Sequence, residues 1–178
     1  FLKAFPDRFR IILRDKLSLR VPLDHDRVQV LMHVTSRTEL ELRVRACAKE
    51  PETVEWILRT FQPGDVFYDI GANVGAYSLL AAVGARARVH AFEPGHRTYH
   101  NLVENILLNG LEGVLVPHQV VLGKKTCLVP FHYSTTEAGG ARHGGIRGEG
   151  QAAGEGGVMT MASYRLDDFV DTLGLEPP

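Results

Sequence analysis

The sequence predicts an α/β fold built on a doubly wound, mostly parallel sheet. Three observations carry that expectation. Across residues 66–123 strand and helix patterns alternate in the order β-α-β-α-β, which implies parallel pairing through right-handed crossovers. The first strand, "VFYDI", is an almost wholly apolar run, as expected for a strand buried on both faces. A glycine-punctuated turn, "GANVG", joins it directly to an apolar helix.

The elements follow in order. Residues 1–19 fit an amphipathic helix carrying several arginines. In residues 27–36 Val28, Val30, Met32 and Val34 share one face, the period of a half-buried strand. Residues 39–46 alternate as well, with Leu40, Leu42 and Val44 apolar, which predicts the second arm of a β-hairpin within an N-terminal extension of residues 1–50. Val54, Ile57, Leu58 and Phe61 then stand at helical spacing, with Pro51 suited to the first turn. Glu50 and Glu52 are placed to cap that helix, and Pro63-Gly64-Asp65 turns the chain into "VFYDI". Residues 76–85 continue as a buried helix, and "ARVHAFEP" is a second strand ending in a carboxylate. Residues 96–109 form a helix with Tyr99, Leu102, Val103, Ile106 and Leu107 as its stripe, stopped by Asn109-Gly110. "GVLVPHQVVLG" is a third strand, and Pro117, which cannot donate to a ladder, assigns it to a sheet edge. Residues 126–133 and "VMTMASY" are further β segments. Residues 138–157 hold nine of the 18 glycines without an apolar period and predict a loop, a candidate lid over an acceptor site. Leu166, Phe169, Val170 and Leu173 mark a last short helix, with Asp167 and Asp168 favoured in its first turn.

Length and composition narrow the function classes. The 178 residues suit one domain with a buried core, and 44% hydrophobic with 23% charged residues is ordinary for a globular chain. A net charge of −1 lends no support to a nucleic-acid or anionic-membrane surface, so neither is expected as a partner. No apolar run reaches the roughly 18 residues of a membrane span. Cys47 and Cys127 lie far apart without a CxxC, so neither a disulfide framework nor a thiolate zinc site is expected, and a reducing, cytoplasmic compartment is the default. His96 and His100 stand i, i+4 on a helix, but no third ligand is near in sequence, so no metal is expected.

The turn after the first strand is the predicted binding site. In open parallel sheets ligands sit beyond the carboxyl ends of the strands. Gly71 and Gly75 let the backbone turn sharply beside a ligand, and the next helix points its N-terminus there. Glu93 ends the second strand about 20 residues on, where a carboxylate takes ribose hydroxyls. A dinucleotide fingerprint requires G-x-G-x-x-G. Here Asn73 occupies the middle position, so the string is D-x-G-x-N-x-G, which suits an adenosine ligand without a pyrophosphate.

At these residues the sequence resembles the FkbM-type methyltransferases, through "KEPETVEWI", "PGDVFYDIGANVGAYSLLAA", "VHAFEP", "NLVENILLNGL" and "SYRLDDF". The resemblance implies a Rossmann-like class I methyltransferase fold, S-adenosylmethionine as cofactor and a hydroxyl of a sugar or small molecule as acceptor. It implies that Asp69, Gly71, Ala72, Asn73 and Gly75 form the cofactor loop, that Glu93 holds the ribose, that Pro94 shapes the adenosine side and that Val120 and Val121 face the adenine. Tyr77 and Ser78 match the family string. One departure stands out: the chain stops at Glu176-Pro177-Pro178, before the family's fourth strand. The expectation is that residues 51–178 are the N-terminal half of such a domain, a fragment in which "VFYDI" lies at an exposed edge. No catalytic base is assigned. The competing readings are a nicotinamide-dependent (NAD(P)) oxidoreductase and a non-catalytic nucleoside-binding remnant.

Overall fold

The computed structural model describes residue 6 and residues 19–133 and 157–178. The helix expected over residues 1–19 and the Gly-rich stretch 138–157 fall almost wholly outside them.

The chain enters as β1 (Leu19–Pro22), which pairs antiparallel with β2 (Leu31–Val34). The four valine and methionine positions of the predicted strand are all buried, from Met32 at 1% to Val34 at 9% exposure. The predicted hairpin arm at 39–46 is corrected. Glu39–Arg43 is a π-helical turn, and Ala46–Lys49 is a short helix, α1. The reason is local. Glu39 Oε2 accepts from the N–H groups of Thr35 (2.6 Å) and Ser36 (3.0 Å), while Ser36 Oγ accepts from the Glu39 N–H at 3.1 Å. That reciprocal pattern is a capping box, and it starts a helix. Leu40 and Leu42, apolar by pattern, remain about 40% exposed.

Helix α2 (Pro51–Thr60) begins with Pro51 in its first turn. Glu50 does not cap it through its side chain; it pairs instead with Lys49 at 3.1 Å. Edge-on contacts of Phe61 with Trp56 (5.3 Å) and Phe67 (5.1 Å) seat this segment on the sheet.

The sheet is the predicted one: β3 (Val66–Ile70), β4 (Arg88–Phe92) and β5 (Leu115–His118) pair in parallel in the order β3-β4-β5. Between β3 and β4 run α3 (Ala76–Leu80) and a π-helical turn Ala81–Ala85; between β4 and β5 runs α4 (His96–Leu108). This is the order of half a doubly wound sheet. Phe67, Val89, Ala91 and Leu115 join one core with Val74, Leu79, Leu80, Leu102 and Ile106. Strands β3 and β5 are the edges, so Pro117 lies on an edge strand, opposite Ala91. Ile70 is 59% exposed.

The long third strand is also corrected. It breaks after His118, and β6 (Val121–Leu122) joins a second sheet of order β6-β8-β7, with β7 (Cys127–His132) and β8 (Val158–Tyr164). The pairing with β4 runs through Pro117 to His118, whose carbonyl accepts the Glu93 N–H at 3.0 Å, before the chain changes sheets. Helix α5 (Leu166–Leu173) ends at Gly174 and docks through Phe169.

Candidate functional site

Three loops meet the carboxyl end of the parallel sheet: 71–75 after β3, 93–95 after β4 and 119–120 after β5. Every residue predicted for the cofactor site lies on them or at the strand ends. What the sequence did not indicate is how tightly the first loop is tied down. The N–H groups of Gly71 and Ala72 both donate to the Phe92 carbonyl, at 2.9 and 3.1 Å. Asn73 N–H donates to Glu93 Oε2 at 2.8 Å, Val74 N–H to Asn73 Oδ1 at 3.0 Å and Gly75 N–H to the Ala72 carbonyl at 2.8 Å. All five amides of the loop are thus committed to protein acceptors.

The backbone explains the residue types. Gly71, Asn73 and Gly75 all have left-handed φ, +83°, +54° and +89°. Asparagine tolerates that region better than other side-chain-bearing residues, so it fits the middle position. A Cβ on Gly75 would stand 2.5 Å from Leu102 Cδ1, whereas one on Gly71 would meet nothing within 4 Å. Gly75 is therefore a packing glycine, and Gly71 opens on free space.

Two carboxylates flank the loop. Glu93 is 3% exposed. Its Oε1 accepts from the Gly95 N–H at 2.7 Å and lies 2.8 Å from Thr98 Oγ1; its Oε2 accepts from Asn73. Glu93 clamps both loops, and one acceptor position on Oε2 is left by these bonds. Asp69 accepts from Ser78 Oγ at 2.5 Å. Asp69 as a residue is only half-buried, yet its carboxylate is closely surrounded. Burial, partly offset by the Ser78 bonds and reinforced by the Glu93 charge, raises its pKa above the ordinary Asp value. Pro94 is half-buried between Glu93 and Gly95; Val120 is half-buried just past β5, and Val121 is buried in the second core.

Sequence reasoning missed Thr98, Asn101 and Asn105, which occupy the buried face of α4 beside Leu102 and Ile106, whereas Leu107 of the expected stripe is 51% exposed. The available signal was the i, i+4, i+8 spacing of Asn101, Asn105 and Asn109. Burial pushes the Cys47 thiol up to about 12, far from a nucleophile's range. The His96 ring stacks edge-on against Tyr133 at 5.3 Å. A cavity of about 590 Å³ lies elsewhere, between Asp24, Arg27, Cys47 and the Glu55–Arg59 side of α2, and is lined by no residue of 71–75, 93–95 or 119–120.

The chain is similar to the hexuronic acid methyltransferase AglP of Haloferax volcanii. The two are 26% identical over 130 residues, 73% of this chain and 49% of AglP, so the chain spans about half the length of that relative. No family model matches the chain. Among solved structures it is similar to a SAM-dependent methyltransferase from Agrobacterium tumefaciens, at 20% identity and TM-score 0.42 over 58% of this chain and 33% of that one. It is likewise similar to the tRNA m1G37 methyltransferase of M. jannaschii, at 16% identity and TM-score 0.38 over 60% and 32%. No helix among the described residues is long and apolar enough to cross a membrane.

Proposed function

We propose that residues 69–75 and 93–95 bind S-adenosylmethionine, and that the chain carries the cofactor half of a methyltransferase of the FkbM type. The observation that carries the reading is the committed state of the loop amides. A pyrophosphate needs backbone N–H groups aimed at it. Here none of the five is left over, while Glu93 keeps an acceptor position and Asp69 lies close by. That chemistry fits an adenosine bearing a cationic sulfonium better than a dinucleotide, and it disfavours the oxidoreductase reading.

The bound cofactor supplies an activated methyl group; the protein's part is to bind, orient and exclude water. Glu93 Oε2 would accept a ribose hydroxyl. Gly71 leaves the space beside the loop, with Pro94 and Val120 bordering the adenine side. The acceptor proposed is a sugar or small-molecule hydroxyl, a class supported by the hexuronic acid named for the Haloferax relative. Titration calorimetry with S-adenosylhomocysteine and, separately, NADH tests the reading. Binding of the first alone is expected; binding of NADH alone overturns it. In the full-length enzyme, transfer of labelled methyl to a uronic sugar is expected, and transfer to tRNA instead overturns the acceptor class.

A further inference from the structure

We propose that Asn105 is a positioning residue that couples the N-terminal ribbon, β1-β2, to the loop at 71–75. It is 0% exposed. Its Oδ1 accepts the His33 N–H of β2 at 2.6 Å, and its Nδ2 donates to the Val74 carbonyl at 2.8 Å. One side-chain amide thus bonds two segments that lie 72 and 31 residues away in sequence.

It is the middle rung of a ladder. Asn109 exchanges two bonds with the backbone of Leu31, at 2.9 and 2.8 Å, and Asn101 Nδ2 donates to Thr35 Oγ1 at 2.8 Å. Four residues of helix rise about 6.0 Å, and two residues of strand about 6.6 Å. Asparagines at every fourth position, from Asn101 to the cap residue Asn109, therefore match every second residue from Thr35, just past β2, back to Leu31, and two of them, Asn105 and Asn109, satisfy β2 backbone groups that a further strand would otherwise pair. Among the described residues the middle rung bonds on to the loop, at the Val74 carbonyl. Val74 is 1% exposed and sits between Asn73 and Gly75, both left-handed. Its carbonyl has a buried donor in Asn105 and would be costly to leave unpaired. Displacing the ribbon pulls on Asn105 and so on Val74.

The link itself does not need a ligand; its effect on cofactor affinity rests on the proposed function above. The test is amide hydrogen exchange on the whole chain with Asn105→Asp, Asn109→Ala and the double variant. Asn105→Asp keeps an acceptor for His33 but sets a carboxylate oxygen against the Val74 carbonyl, so it cuts the loop side. Asn109→Ala loosens the ribbon and also removes the Asn109 Nδ2 bond to the Asn105 carbonyl (2.7 Å), but it leaves the Asn105 side-chain amide and its two bonds in place. The expected result is that Asn109→Ala speeds exchange at Ala72 and Gly75 severalfold in the parent and not in the Asn105→Asp background. No change at those amides, or the same change in both backgrounds, overturns the proposal; Asn109→Ala in the parent alone decides it if the aspartate variant does not fold. S-adenosylhomocysteine affinity should fall in Asn105→Asp, by up to about tenfold where the full worth of that buried hydrogen bond goes into ordering the loop. A parent that binds no S-adenosylhomocysteine overturns the cofactor reading, while the exchange cycle still decides the link.

Discussion

Glu93 carries two tasks that its place in the sequence does not separate. It sits where a ribose carboxylate is expected, and it also anchors the N–H groups of Asn73 and Gly95. Glu93→Ala should therefore weaken S-adenosylhomocysteine binding by on the order of 1–3 kcal/mol and lower the melting temperature as well. An unchanged dissociation constant, measured by calorimetry below the melting temperature, would remove it from the site. The two loop glycines make a sharper pair. Alanine at either pays about 1–2 kcal/mol for a left-handed φ. At Gly75 it also drives a Cβ into Leu102, which is 0% exposed, and at Gly71 it meets open space. Urea denaturation should find Gly75→Ala clearly less stable than Gly71→Ala. Equal losses would mean that Leu102 moves aside without cost.

At the scale of elements, helices and strands with one dominant signal were legible. Strand β3 was found from its apolar run, α2 from its spacing and Pro51, and the edge position of β5 from Pro117. The elements that went astray are those where local hydrogen bonding outweighs alternation. Residues 39–43 alternate like a strand, but the Glu39–Ser36 box winds them into a helical turn. On α4 the apolar stripe holds at Leu102 and Ile106 and fails at Leu107, and the rest of the buried face is polar because Asn101 and Asn105 sit there to bond Thr35 and β2. Helix α5 buries a single side chain, while Asp168 accepts from Thr126 Oγ1 at its exposed side. Phe169, 6% exposed, packs edge-on against Phe92 (5.6 Å), His118 (5.1 Å) and Tyr164 (5.1 Å). Phe169→Ala should cost up to about 3–5 kcal/mol and appear as lost exchange protection confined to residues 166–173. Protection lost equally at β3 and β4 would show that α5 and the sheet unfold as one unit.

The whole molecule places a pair of histidines on the sheet face that α5 covers. His90 Nδ1 and His118 Nε2 are 2.9 Å apart, an arrangement in which one ring donates and the other accepts. Burial, with the Arg88 charge, lowers the His90 pKa, and burial, with His90 beside it, brings His118 to about 4. Both fall below the unfolded value of 6.5, so their contribution to stability is complete above pH 6.5 and is lost as the pH falls toward 4. His118→Gln should flatten the urea midpoint between pH 6.5 and 4; an unchanged slope would assign the acid sensitivity to other groups. By itself the sequence determined the β-α-β-α-β order from Val66 to His118, the parallel sheet and the glycine turn after β3, because apolar period, glycine and proline act over a few residues. Only the tertiary structure decided that the amides of that turn are all committed, that Glu93 bridges two loops and that α4 binds β2 through asparagines. Those facts depend on donors and acceptors up to 78 residues apart, and a hydrogen bond across that separation leaves no period in the chain.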